Sequence, residues 1–111
     1  MASALVTQRT LDDGTVVVDL HGELDIAVND AMREILVDTI KTRRPPRLVV
    51  NMRHVMFVDS TGMSALIAGH KAAEEAGVVY EVREIAPFIE RQLHAAGVFD
   101  HLVPRQSKEA P

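Results

Sequence analysis

The sequence predicts an α/β fold: a small mixed β-sheet with an N-terminal hairpin and a parallel centre, with helices packed against it. Early in the chain an Asp-Gly step separates two β-branched runs, as a hairpin requires. From residue 28 the apolar period changes from that of a strand to that of a helix. Strands and helices then alternate, which implies right-handed crossovers between parallel strands.

In order, "LVTQRTL" and "TVVVDLHG" flank Asp12-Asp13-Gly14 and form the hairpin. Over residues 28–42, Val28, Ala31, Met32, Ile35, Leu36, Thr39 and Ile40 fall at i, i+3, i+4, i+7, i+8, i+11 and i+12. That is one face of an amphipathic helix, and it leaves Asp30, Arg33, Glu34, Asp38 and Lys41 to solvent. Pro45-Pro46 ends the helix, because proline cannot donate and constrains the residue before it. "RLVVNM" is short and nearly continuous in apolar residues, as a strand covered on both faces would be. From Ser60 to Ala76 the pattern is helical again. Gly62, Ala65, Gly69, Ala72, Ala73 and Ala76 form a small-residue stripe beside Met63, Leu66 and Ile67, so this helix is expected to approach its neighbours closely. Gly77 is a natural stop. "VVYEVRE" is the next strand, with Val78, Tyr80 and Val82 on one face. "PFIERQLHAAG" is a third helix, with Pro87 in its first turn and Gly97 past its end. "VFDHLV" closes the fold as a short helix or an edge strand. Residues 1–103 read as one domain, and 104–111, "PRQSKEAP", as a polar tail expected to be mobile.

The bulk numbers narrow the function. A chain of 111 residues can bury one core, and 47% hydrophobic with 25% charged residues describes a compact globule. Its 12 basic and 16 acidic side chains give −4, the wrong sign for a nucleic-acid module. The basic cluster Lys41, Arg43, Arg44 and Arg47 spans a helix end, where cations complement the dipole. With no cysteine there is no disulfide framework and no thiolate metal site. No apolar run approaches the ~20 residues of a spanning helix, and the N-terminus lacks the marks of a signal peptide. A cytoplasmic protein without a membrane partner is the expectation.

Catalytic constellations are hard to find. His21, His54, His70, His94 and His101 have no metal-type spacing, so no metal site is expected. Ser60 is outside the setting of a nucleophile elbow, and no oxyanion hole is marked for a triad with His54 or His70. Glu23 and Asp25 could pair as carboxylates, although an acid there more often caps the following helix. No phosphate loop is present, since Gly62 and Gly69 stand too far apart and lack the lysine. No cofactor and no enzymatic activity are expected.

"VDSTG", residues 58 to 62, is different. Asp59 or Ser60 can accept from the free N–H groups of the first helical turn. One oxygen suffices for a cap, yet an acid and two hydroxyls precede the glycine. A strand ending at a helix start also sets these groups on the rim of the sheet, where partners have access and a phosphate would meet the helix's positive end.

At this point the sequence resembles the STAS domains of bacterial anti-sigma-factor antagonists. The resemblance is carried by "GELDIA" (22 to 27), "RLVVNMRHVMFVDSTGMSALI" (47 to 67) and "AAEEAGVVYEV" (72 to 82), the middle stretch being the specific one. It implies a STAS-like fold, with Ser60 as phosphoacceptor and partner contacts at Asp25, Asp59, Thr61, Gly62 and Met63. It further implies that the unphosphorylated domain binds an anti-sigma factor that is also a serine kinase, releasing the sigma factor. That kinase would phosphorylate the serine, and a regulatory phosphatase would restore it. The family's central strand typically ends in aspartate. This chain has Asn51, then Met52 and Arg53, which implies a neutral amide and a cation near the switch. The rival readings are a STAS domain acting as a scaffold, or as a sensor of nucleotide or lipid on the same rim.

Overall fold

The computed structural model describes residues 4–103, so the predicted tail lies outside the described residues. Strands β1 (Ala4–Thr10) and β2 (Val16–Leu24) form the hairpin, in antiparallel register from Ala4–Gly22 to Thr10–Val16. The Asp-Gly step closes it: the Asp13 carboxylate accepts from the Thr15 N–H at 2.9 Å, and Gly14 N–H donates to the Leu11 carbonyl at 3.0 Å. Helix α1 (Ile26–Asp38) follows and continues into a π-helical turn, Thr39–Arg43. Then come β3 (Arg47–Val58), α2 (Ser60–Ala76), β4 (Val79–Arg83), α3 (Pro87–Ala95) and α4 (Phe99–Leu102). The closing segment is therefore a short helix.

The four-stranded sheet runs β1-β2-β3-β4, with β2–β3 and β3–β4 parallel. Chain order and sheet order coincide, so each crossover helix links neighbouring strands, as the alternation of periods predicts. One core holds the fold together. Val16, Val18 and Leu20 of β2, Leu48, Val50 and Met52 of β3, and Tyr80 and Val82 of β4 share it with Met32, Leu36, Leu66, Ile89 and Leu93 of the helices.

All these strand residues belong to one face, which corrects the expectation for β3. "RLVVNM" is not covered by helices on both sides. Val49, although only 8% exposed, is outside the helical core; it and Val17 line an open face with arginines of the neighbouring strands. Arg9, Arg47, Arg53 and Arg83 line the same face, and long polar side chains of this kind screen apolar groups in a way that hydropathy alone does not distinguish from a helix. The strand is also twice the predicted length, because "RHVMFV" continues it to Val58. Along α1 and its π-helical turn the predicted stripe holds at Met32, Leu36, Thr39 and Ile40, but Ala31 is exposed and Val37 packs against the core instead.

Helix α2 sits close to the sheet for the expected reason. A Cβ on Gly69 would lie 2.7 Å from the Tyr80 hydroxyl, and one on Gly62 would lie 2.5 Å from the Leu24 carbonyl oxygen. Real Cβ atoms are not found at such distances, so only glycine permits this approach. The Tyr80 hydroxyl donates to the Leu66 carbonyl at 2.8 Å, and burial pushes its phenol well above the ordinary value.

Candidate functional site

The parallel strands β2 and β3 end together, with Leu24 paired to Val58. Each then passes through one aspartate into a helix. Asp25 is the N-cap of α1 and its Oδ1 accepts from the Ala27 N–H at 3.0 Å. Asp59 is the N-cap of α2, accepting from the N–H groups of Thr61 at 2.9 Å and Gly62 at 3.0 Å. The Asp59 N–H donates back to the Leu24 carbonyl at 3.1 Å, which ties the two helix starts together. This juxtaposition is the rim that the sequence pattern anticipates.

Asp59 takes the capping role, and the Thr61 hydroxyl donates to the same carboxylate oxygen at 2.5 Å. The Thr61 hydroxyl, followed by the Gly62 and Thr61 N–H groups with help from the Ile26 N–H, holds the Asp59 carboxyl below the usual carboxylate range. Ser60 is the first residue of α2 and is exposed; its side chain has no hydrogen-bond partner among the described residues. Only its carbonyl is engaged, accepting from the Ser64 hydroxyl at 3.1 Å. A hydroxyl with no structural task therefore projects from the rim, between groups that are fully committed.

The other predicted residues fall into two kinds. Asp25, Asp59 and Thr61 are partly exposed at the rim, whereas Gly62 is buried against Leu24 and Met63 is half-buried against the core. The last two set the position of the helix start. Glu23 does not join Asp25 in a carboxylate pair, since Asp25 is spent on its cap while Glu23 is exposed and paired in register with Phe57.

Sequence reasoning missed an apolar component. Ile26 is 75% exposed and Met56 71%, and both flank the paired strand ends. Phe57, at 43%, and Val58 break the strand alternation after Val55 because the β2–β3 register shifts between Gly22 and Glu23. The signal lies in "HVMFV", where four apolar residues follow one another without alternation. Exposed large apolar groups beside polar, accessible ones are the composition of protein-binding surfaces.

Asn51 is not at the rim, contrary to the expectation. Seven residue steps along β3 separate it from Val58, on the order of 20 Å at ~3.3 Å per step. Its Nδ2 donates to Asp19 Oδ1 at 2.7 Å on the open face, and its own Oδ1 accepts from the Arg53 N–H at 3.1 Å. Arg9 pairs with Asp19 at 2.8 Å, and this bond, with smaller help from Asn51, outweighs burial and holds the Asp19 carboxyl low. On the next strand the buried Glu81 carboxylate is clamped by Arg47 at 3.4 Å and by Arg83. Arg9, Arg47, Asn51, Arg53 and Arg83 line a cavity of about 380 Å³, which Ser60, Asp25 and Asp59 do not line. Among the described residues no cluster of His, Cys, Asp and Glu could hold a metal, and no helix is long and apolar enough to cross a membrane.

Comparison with known proteins agrees with this architecture. The family model described as the STAS domain matches residues 7–110. The chain is 28% identical over 86 residues to an anti-sigma F factor antagonist of Paenibacillus polymyxa, covering 78% of this chain and 74% of that one. Among solved structures it is similar to an anti-sigma factor antagonist from Mycobacterium paratuberculosis, with a TM-score of 0.74, 26% identity, and 90% and 83% of the two chains covered. The Bacillus cell fate determinant SpoIIAA in its phosphorylated form has the same fold, with a TM-score of 0.67 at 18% identity over 89% of each chain.

Proposed function

Because the chain belongs to the STAS domain family, we propose that it is an anti-sigma-factor antagonist, active when unphosphorylated and switched off by phosphate on Ser60. The observation that carries this reading is the division of labour at the start of α2. Asp59 and Thr61 supply the cap, while the Ser60 hydroxyl is exposed and unbonded. A serine kept for stability would be expected to cap its helix or bond the backbone. An accessible one at the edge of a protein-binding surface suits a kinase.

The partner is an anti-sigma factor that is also a serine kinase, and a phosphatase reverses the modification. Relatives called anti-sigma factor antagonists support an anti-sigma factor as the partner. The exposed Ile26 and Met56 supply apolar contact, and the rim carboxylates Asp25 and Asp59 set polarity and register. The chain itself performs no catalysis in this scheme.

The test is incubation with the host's anti-sigma kinases and ATP, read by intact mass. One added phosphate that is lost in Ser60→Ala is the expected result. Phosphate still added to Ser60→Ala in full yield would move the acceptor to Thr61 and overturn the assignment. A domain that binds an anti-sigma factor but is never phosphorylated would leave the scaffold reading in its place.

A further inference from the structure

The basic cluster near the end of α1 does not act as a unit. Arg43 turns to β1, donating to the Thr10 hydroxyl at 2.9 Å and to Gln8 Oε1 at 3.4 Å, and Arg47 turns to Glu81. Lys41 and Arg44 go elsewhere. The π-helical turn Thr39–Arg43 and the left-handed Arg44, with φ 44° and ψ 57°, set both on the outer side of the helices, beside α2. A left-handed conformation is usually left to glycine or asparagine, and π turns are enriched at functional sites.

Together with Arg33 of α1 and Lys71 of α2, these cations wall a groove between the two helices. It consists of two adjoining hollows of about 190 and 220 Å³ that share Lys41, Ala72 and Glu75. Arg33, Lys41, Arg44 and Lys71 are all exposed, and none of their side chains has an ion-pair or hydrogen-bond partner among the described residues. Among the described residues Glu75 is the only carboxylate lining the groove, and Glu74 is turned to His70 at 3.9 Å. A concentrated positive charge thus stands on a chain whose net charge is −4.

We propose that this groove docks an acidic helical segment of a partner protein, on a surface separate from the Ser60 rim. Its shape selects a cylinder: two helix walls with a floor of alanines, which allow a third helix close approach. From Arg33 to Arg44 it runs roughly 16 Å, three turns of helix. A membrane or a nucleic acid presents an extended anionic surface that meets the whole acidic molecule. A short acidic helix in the groove meets mainly these cations, because charges beyond ~8 Å are screened at physiological salt. The groove begins about 12 Å along α2 from Ser60, so occupation of the two surfaces is compatible.

The probe is a fluorescein-labelled peptide of Glu and Ala, about fourteen residues long and stapled to hold its helix. Anisotropy should show saturable binding that weakens as salt rises from about 50 to 300 mM. Lys41→Glu with Lys71→Glu should weaken it about tenfold or more, while Ser60→Asp leaves it unchanged. Lys41→Gln with Lys71→Gln gives the same direction with a smaller loss and serves if the reversed variant folds poorly. Backbone amide shifts should map to residues 33–44 and 68–76. No saturable binding, indifference to the charge changes, or shifts centred on residues 57–63 would overturn the proposal. So would charge-sensitive binding of phosphatidylglycerol vesicles without binding of the peptide, which would assign the groove to a lipid surface.

Discussion

Gly62→Ala adds one methyl group where the start of α2 meets the end of β2, and the structure sets its cost. The new Cβ would stand 2.5 Å from the Leu24 carbonyl oxygen and 3.0 Å from the Leu24 Cβ. Ordinary contact begins near 3.4 Å, so about 0.9 Å must be found between two backbones. Neither side is the free end of a flexible side chain. Lifting the helix by that amount stretches the Asp59 N–H to Leu24 carbonyl bond from 3.1 Å to about 4 Å, beyond hydrogen-bonding range.

Overpacking of this kind costs about 1–3 kcal/mol, and the lost hydrogen bond about 0.5–1.5 kcal/mol net. Alanine recovers about 0.5–1 kcal/mol through helix propensity. The balance is a loss of about 0.5–4 kcal/mol, centred near 2, which lowers Tm by about 10 °C in a domain this size yet stays within the stability of most domains. Urea denaturation should therefore show a lower midpoint with an unchanged slope. Binding to the anti-sigma factor should weaken too, because the helix carrying Ser60 is displaced from Asp25. A Gly62→Ala protein as stable as the wild type, with the Asp59 amide still protected from exchange, would show that the two helix starts are not in the tight contact described.

Gly69→Leu meets the Tyr80 ring and hydroxyl and should cost about 1–3 kcal/mol, read as a lower melting temperature; an unchanged melt would place the small-residue stripe away from the sheet. Asn51→Asp sets a second carboxylate against Asp19, raising the pair toward protonation. The mutant's deficit against wild type should then shrink as pH falls from 7 to about 5, while the rate of Ser60 phosphorylation stays unchanged, and an equal deficit at both pH values refutes the pairing. Asp59 titrates below its ordinary 3.8 in the fold, so its contribution is complete above that value and is lost as pH falls through the lower folded one. Asp59→Asn should accordingly lose less stability than wild type over the acid limb below about pH 4, measured by denaturation across that range.

How far the sequence could be read depended on whether a pattern had one physical source. The period of α1 and the stripe of α2 report packing against the sheet directly, and both were legible to within a residue such as Ala31. The apolar run "LVV" had two sources, since Val49 is buried on a face lined by arginines and outside the helical core. Pairing also hid the length of β3: "RHVM" has too little alternation to mark a strand, yet Gly22 and Val55 pair within the β2–β3 ladder. At the rim, "VDSTG" marked the place but left Asp59 and Ser60 equally able to cap. Their roles separated only through geometry, with Thr61 and Gly62 both donating to Asp59.

That separation decides how a phosphate on Ser60 should act. The group adds about −1.5 to −2 charge and three acceptor oxygens. A helix N-terminus ordinarily welcomes it by about 0.3–1 kcal/mol. Here the N–H groups of Thr61 and Gly62 already donate to Asp59, and the Met63 N–H donates to the Asp59 carbonyl at 3.0 Å. The phosphate finds little free donor capacity in the first turn and meets a neighbouring carboxylate, so it turns to solvent and changes the domain's own stability little. At an interface the same charge loses its water, and an unmatched like-charge contact costs several kcal/mol, a hundredfold or more in affinity. Phosphorylation of Ser60, and more weakly Ser60→Asp, should thus release the anti-sigma factor from a domain that remains folded. Denaturation of both forms beside a binding titration of each measures the two effects separately. A phosphorylated domain that is unfolded would mean that release works through loss of the fold, and the charge mechanism would fail.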